Sequence, residues 1–385
     1  MPNQPNENAA SRRRRPVHGS IQPSELRALG LKPEDLLDFS ASISPIGPPE
    51  GVWEAIRSVD LSTYPDPECL DLREAICHYL STPTREVTLG RVLVGNGSTE
   101  IFHLLTRAYL SNSTDHPGGG SALLMTPTYG EYEGACRMAG AKVLTQVANL
   151  SGDFRWDISE ASRIIRDDRP DLVFICNPNN PTGVYLTHGE IDGLADASAD
   201  SGSLLVVDEA YLSFVEDPWD SLELLERPNV MLVRSMTKDY AQTALRLGYA
   251  LASEDVVSRL RSYQPDWSVN GLAQKAGISA LEDTEYLPRA REAVYRAKNY
   301  LSAEIGELGL EVPPSAANFL LVKVGDAPRW RSQLLAKGIV VRDCTSFGLP
   351  EYIRVGIRTM EDCQRLAAAM AEVAAEALAE SRPGN

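Results

Sequence analysis

A lysine amine forms a Schiff base with a carbonyl only as the free base, and at its ordinary pKa near ~10.4 it is a non-nucleophilic ammonium at neutral pH. Lys238 lies in the run Ser235-Met-Thr-Lys238-Asp-Tyr-Ala-Gln-Thr-Ala-Leu-Arg246-Leu-Gly248. A hydroxyl stands three residues before it, and an arginine eight residues after it in an otherwise apolar stretch. An arginine there is costly to bury unless a dianion meets it, and phosphate is the obvious candidate. A cofactor that offers an aldehyde to Lys238 and a phosphate to Arg246 is pyridoxal 5′-phosphate (PLP). Taken alone, the run fits equally well a surface lysine followed by an apolar strand with one paired arginine.

Four further features fall just after apolar runs. Gly95-Asn96-Gly97-Ser98-Thr99-Glu100 follows Val92-Leu93-Val94 and opens a helical pattern. Its glycines allow close backbone approach, and a helix N-terminus supplies free N–H groups, so it can cradle an anion; a plain capped turn is the alternative. Cys176-Asn177-Pro178-Asn179-Asn180-Pro181-Thr182-Gly183 follows Ile175. It is a simple loop, or a rigid turn aiming Asn180 at a ring oxygen. Asp208-Glu209-Ala210-Tyr211 follows Val207. Asp208 there is a cap or ion-pair partner, or a carboxylate that keeps a pyridine nitrogen protonated, with Tyr211 reaching the ring's phenolic oxygen. Thr126-Pro127-Thr128-Tyr129 places an aromatic ring at a strand end, to stack on a flat cofactor or to cap the core.

The elements that must position these residues follow from periodicity. Val92–Val94, Ala122–Met125, Lys142–Leu144, Leu172–Ile175, Leu204–Val207, Met231–Val233 and Gly248–Leu251 are strand candidates alternating with helical patterns. Continuous apolar strands separated by helices imply a mostly parallel sheet covered on both faces, with ligands at the carboxyl ends of its strands. Helices are expected over Ser24–Leu29, Glu50–Val59, Glu285–Leu308, Pro328–Lys337 and Thr359–Glu380, and strands over Phe319–Val322, Ile339–Val341 and Tyr352–Val355. The expected organisation is a disordered arm at 1–17 and an N-terminal segment at 18–60 packing with the small domain. A large cofactor-binding domain then covers 61–285, and a small α+β domain 286–385.

With 385 residues and a net charge of −16, nucleic acid and anionic membrane surfaces are disfavoured as partners, although a pocket can be locally basic. No apolar run reaches the ~18 residues a span needs and the N-terminus opens polar, so a cytoplasmic location is expected. The six cysteines show no C-x-x-C spacing and read as buried free thiols, and neither they nor the five histidines suggest a metal site. Arg12-Arg13-Arg14-Arg15 belongs to a solvated arm, or to one that folds over an anionic substrate.

The order G-N-G-S-T-E, P-T-Y, N-P-N-N-P-T-G, D-E-A-Y, S-x-x-K, R-L-G-Y, then Y-I-R-V resembles the class I/II PLP-dependent aminotransferases of fold type I. Within them it is similar to the branch holding histidinol-phosphate aminotransferase and threonine-phosphate decarboxylase, and the resemblance runs from about His18 to the end. It implies that Lys238 is the Schiff-base lysine and Asp208 the partner of the pyridine nitrogen. Tyr211 and Asn180 then bond the ring oxygen, and Tyr129 stacks on the ring. Ser235, Arg246 and the amides of Gly97, Ser98 and Thr99 form the phosphate cup. Arg354 matches the arginine that binds a substrate carboxylate or phosphate, with Asn180 beside it; Arg342 and His18 are candidates for a distal phosphate. Tyr64 resembles a residue that reaches the cofactor phosphate of a neighbouring subunit, which implies a homodimer with shared sites.

The sequence departs from that pattern near the substrate. Ser42 and Ser44 replace two asparagines, Gln242-Thr243-Ala244 replaces a small or proline residue followed by glycine, and Asp266 takes a place often held by proline. The expected activity is aminotransfer. Decarboxylation of a threonine-phosphate-type substrate is one alternative, and a PLP lyase or cyclase acting at Cβ or Cγ another. A regulatory ligand sensor is disfavoured, because the arm is too short for a DNA-binding segment.

Overall fold

The computed structural model describes residues 23–111 and 118–380; the Arg12–Arg15 arm and His18 lie outside the described residues. In chain order the strands are β1 (Leu37–Asp38), β2 (Val92–Asn96), β3 (Ser121–Thr126), β4 (Lys142–Val147), β5 (Leu172–Cys176) and β6 (Leu204–Asp208). They continue with β7 (Val230–Ser235), β8 (Leu247–Leu251), β9 (Phe319–Lys323), β10 (Ile339–Val340), β11 (Arg342–Asp343) and β12 (Tyr352–Gly356).

All seven candidates between residues 92 and 251 join one sheet, in the order β2-β8-β7-β6-β5-β3-β4. Strands β5, β6 and β8 are buried at every position. Each apolar side chain removed from water there contributes roughly 1.5–3 kcal/mol, which is why these strands read as unbroken apolar runs. Edge strand β4 is exposed or half-buried at all but Gln146, and opens with Lys142, which suits an unpaired edge. Only β8 runs against its neighbours, pairing antiparallel with both β2 and β7. The carboxyl ends of six strands and the amino end of β8 therefore meet along one rim. The strand order reverses between β5 and β3, so the crevice for a ligand lies there.

Beyond the long helix Tyr286–Glu307, strands β11, β12 and β9 form an antiparallel sheet, and β1 pairs parallel with β10. The apolar run expected as one strand at Ile339–Val341 ends after Val340, and β11 follows in a different sheet. Three of the expected helices are shorter by a residue or two, at Glu50–Arg57, Tyr286–Glu307 and Met360–Glu380, whereas Pro23–Leu29 starts one residue earlier and Ala327–Ala336 is displaced by one. All six cysteines are free thiols, Cys77 being the half-buried one. Among the described residues, no helix is long and apolar enough to cross a membrane and no cluster of side chains could hold a metal ion.

Candidate active site

A cavity of about 330 Å³ opens on the sheet rim. Ser98, Thr99, Tyr129, Asn180, Asp208, Tyr211, Ser235, Lys238, Arg246 and Arg354 all line it. Residues scattered over 257 positions of sequence are thus gathered at one place, most of them by strand direction in the large sheet and Arg354 from β12 of the small one.

Lys238 sits in the short helix Met236–Asp239 directly after β7. Burial lowers its amine to about 8, and the nearby Arg354 and Arg246 push the same way against the opposing charge of Asp208. Asp208 ends β6 and is 3% exposed. Its carboxylate accepts from the Tyr132 hydroxyl at 2.5 Å and from the Ala210 amide at 3.0 Å. Burial outweighs those bonds and raises it to about 6. Strand alternation turns Glu209 the other way, where it meets Arg234 at 2.9 Å. Of the two acids, Glu209 is the ion-pair partner and Asp208 the one that faces the cavity.

The phosphate-cup residues lie at the N-terminus of the helix Gly97–Leu110, whose N-cap Asn96 makes no side-chain cap bond. Gly97 has φ +74°, and a Cβ added to it would stand 2.7 Å from the Arg246 guanidinium. A Cβ on Gly248 would stand 2.6 Å from the Ser98 amide nitrogen. Only glycines let the helix start, β8 and Arg246 approach this closely. The Ser235 and Thr237 hydroxyls lie 2.6 Å apart beside them. Uncapped amides, two hydroxyls and an arginine form a donor set suited to a phosphate dianion. Tyr129, raised to about 12 mainly by burial although its bond with Thr99 opposes this, supplies an aromatic wall. Its ring meets that of Tyr132 edge-on.

At the opposite end Arg354, from β12, is 4% exposed. It donates through Nη1 to Asn180 Oδ1 and through Nη2 to the Ser40 carbonyl at 2.8 Å, and lies over the Phe319 ring. Its Nε has no partner. With Asn180 Oδ1 committed to Arg354, the amide Nδ2 is the donor left for the cavity. Burial also raises the Tyr211 phenol, which stays a neutral O–H donor. These features fit PLP: an anion cradle, a central amine of lowered pKa, a buried carboxylate and two donors for a ring oxygen.

Three expected residues lie apart from the cavity wall. Arg342 is the register partner of Arg354 across β11 and β12, bonds Ser346 at 2.6 Å and lies over the ring of Phe347, which does line the cavity. Gly97 contributes through its contact with Arg246. Tyr64 is 79% exposed, with its ring centroid 4.8 Å from that of Trp267 on another surface. The motif reading also missed contributors. Tyr132 stands three residues after Tyr129, and that spacing was its one signal. Phe347 and Ser40-Ala41 line the cavity without having been assigned a role, as do Thr237, inside the Ser235–Lys238 run, and Ser42, noted only as a departure from the family pattern.

Comparison with known proteins agrees with this geometry. The family described as Aminotransferase class I and II matches residues 34–370. A histidinol-phosphate aminotransferase of Symbiobacterium thermophilum is 34% identical over 367 residues, covering 94% of this chain and 96% of that one. A protein of Caldanaerobacter subterraneus subsp. tengcongensis, provisionally named threonine-phosphate decarboxylase, is 30% identical over 84% of this chain and 86% of its own. The fold matches the crystal structure of histidinol-phosphate aminotransferase from Sinorhizobium meliloti in complex with pyridoxal 5′-phosphate, with a TM-score of 0.80, 24% identity, and coverage of 93% and 95%. With its motifs gathered on one sheet rim and the family match spanning most of its length, the chain belongs to the class I and II aminotransferases.

Proposed function

We propose that the cavity binds pyridoxal 5′-phosphate and that the enzyme transfers the amino group of an amino acid or amino-phosphate. The observation that carries the reading is a buried lysine of lowered pKa sharing one cavity with a buried aspartate and an anion cradle. Ser98, Thr99, Ser235 and Arg246 would hold the phosphate, Asp208 the ring nitrogen, and Tyr211 and Asn180 the ring oxygen, with Tyr129 as the aromatic wall. When bound, PLP supplies an aldehyde for the lysine amine and an electron-accepting pyridine ring.

Asp208 would keep a pyridine nitrogen protonated, and Tyr132, through its hydrogen bond, holds Asp208 in place. Arg354 grips the substrate carboxylate and orients Cα. Lys238, whose amine burial lowers to about 8, would serve as the base that takes the proton from Cα and the acid that delivers it in the transfer. Arg354 and the pocket wall would orient the substrate and so decide which bond to Cα is labilised. The Caldanaerobacter relative and the register pairing of Arg342 with Arg354 favour a second reading, decarboxylation of an amino acid carrying a distal phosphate.

Purified protein with PLP is expected to be yellow and to bleach with borohydride. Glutamate should form when an amino-acid panel is supplied with 2-oxoglutarate; a protein that gains no absorbance with PLP would overturn the reading. We assign the working unit as a homodimer in which Tyr64 reaches the neighbouring site. That assignment is supported by the exposure of Leu61 (82%), Tyr64 (79%) and Trp267 (48%) around one further cavity. The division into an N-terminal segment at 18–60, a large domain at 61–285 and a small domain at 286–385 belongs to the same proposal.

A further inference from the structure

A second cavity, of about 160 Å³, lies behind the wall that carries Lys238. Three pairs of chain neighbours in that wall are divided between the two spaces. Asp208, Ser235 and Lys238 line the active-site cavity, and Glu209, Arg234 and Asp239 line the one behind it. At the strand ends this is the ordinary alternation of side chains, so one layer of backbone separates the two. Glu209 and Arg234 neutralise each other at 2.9 Å. That leaves Asp239, the residue next to the lysine, as the acid whose partner has to be found elsewhere.

The helix Met236–Asp239 is a single turn, and its N-cap Ser235 makes no side-chain cap bond. A turn that short does not hold its own shape, so what fixes Lys238 comes from outside it. The Ser44 amide donates to the Lys238 carbonyl at 2.8 Å. The Asp239 carboxylate accepts from the Ser213 hydroxyl and from the Tyr240 amide, each at 3.0 Å. Ser213 lies in the short turn Leu212–Phe214 that continues the Asp208–Tyr211 motif, and its carbonyl accepts from Arg291 Nε, in the helix Tyr286–Glu307, at 3.1 Å. The Tyr240 ring stacks on Tyr286 of that same helix, with centroids 5.3 Å apart. The bond from Ser213 to Asp239 therefore ties the segment presenting Asp208 and Tyr211 to the segment presenting Lys238. Charge is not what the position supplies, because burial raises the Asp239 carboxylate to about 7 against the opposing pull of Ser213, two backbone amides and Arg234. It supplies an acceptor oxygen in a fixed place.

We propose that Asp239 is a positioning residue for Lys238: through its bond with Ser213 it sets the lysine turn against the turn that carries Asp208 and Tyr211. The lysine stem is long and flexible, so the place of its backbone decides where the amine can reach. The inference rests on the reading of the neighbouring cavity as a PLP site, and adds to that site a residue that lies outside its wall.

The test is the rate at which colour develops when PLP is added to the cofactor-free protein at pH 8, read by stopped-flow absorbance. Asp239→Ala and Ser213→Ala are each expected to slow it about tenfold. Asp239→Asn, which keeps an acceptor oxygen for Ser213, should recover the rate to within about threefold of wild type. Because both alanine variants remove the same bond, the double variant should be no slower than the slower single one. In turnover kcat should fall by a similar factor, with KM for the amino acid within about twofold. Rates within about twofold of wild type in both alanine variants overturn the inference even where the melting temperature falls. An asparagine variant as slow as the alanine one overturns it too, as do losses that multiply in the double variant. Ser213→Ala deletes a single half-buried hydroxyl and keeps the test open should Asp239→Ala fail to fold. Wild type that never becomes yellow with PLP fails the underlying reading instead, so the two failures are distinguishable.

Discussion

Asp208 is held in the fold at a cost, because burial raises its pKa from the usual 3.8 to about 6. A raised carboxylate means the folded state keeps its proton longer than the unfolded state does. Stability from this group therefore falls as pH rises from about 4 to about 6 and stays lower above that window. Asp208→Asn should then raise the melting temperature of the cofactor-free protein at pH 7, by the equivalent of roughly 1–3 kcal/mol, while weakening PLP binding. Differential scanning calorimetry with and without PLP checks both signs. Lys238 titrates in the opposite sense. Its amine, lowered to about 8 from 10.5, favours the neutral form, so the rate at which chromophore appears on adding PLP should climb as pH passes through about 8. Stopped-flow absorbance from pH 6 to 10 reads this directly, and Lys238→Ala should abolish both the colour and turnover with the fold retained. At this scale the sequence was most informative for chemistry fixed by type and spacing, as with Lys238 and Asp208, whereas Arg354 was singled out only through the family resemblance. Tyr132 stayed hidden because a tyrosine in a helix carries no mark of the carboxylate it will meet, which comes from a strand 76 residues away.

Among the elements, the start of the helix Gly97–Leu110 and strand β8 depend on each other. Register pairs Gly95 with Gly248, and the space above Gly248 is already taken by the Ser98 amide. Gly248→Ala must push backbone rather than a flexible side-chain tip, at roughly 1–3 kcal/mol. It is expected to lower PLP affinity at least tenfold, measured by absorbance titration, more than its effect on the melting temperature would suggest. The strands themselves were legible because burial on both faces demands unbroken apolar runs. Their order and directions were not, since β8's reversal depends on pairing partners far apart in sequence. The run 339–343 shows the same limit. Ile339–Val341 reads as one apolar strand, but only Ile339 and Val340 pair with β1, and Arg342 and Asp343 pair with β12 in a second sheet.

For the whole molecule, the surface around Leu61, Tyr64 and Trp267 carries large apolar side chains that water surrounds in the single chain, the pattern expected of a buried subunit contact. Sedimentation equilibrium is expected to give twice the chain mass. Leu61→Asp should shift the protein toward monomer and cost PLP retention along with it, whereas a wild type that sediments as a monomer would remove the proposed role of Tyr64. The wall segment within residues 39–44 has a separate consequence. It precedes every strand of the large sheet, so part of what meets the incoming molecule and what stains the protein yellow are encoded in different stretches of the gene. Exchanging those six residues for a relative's is a small graft that should redirect which compounds are consumed without changing the colour.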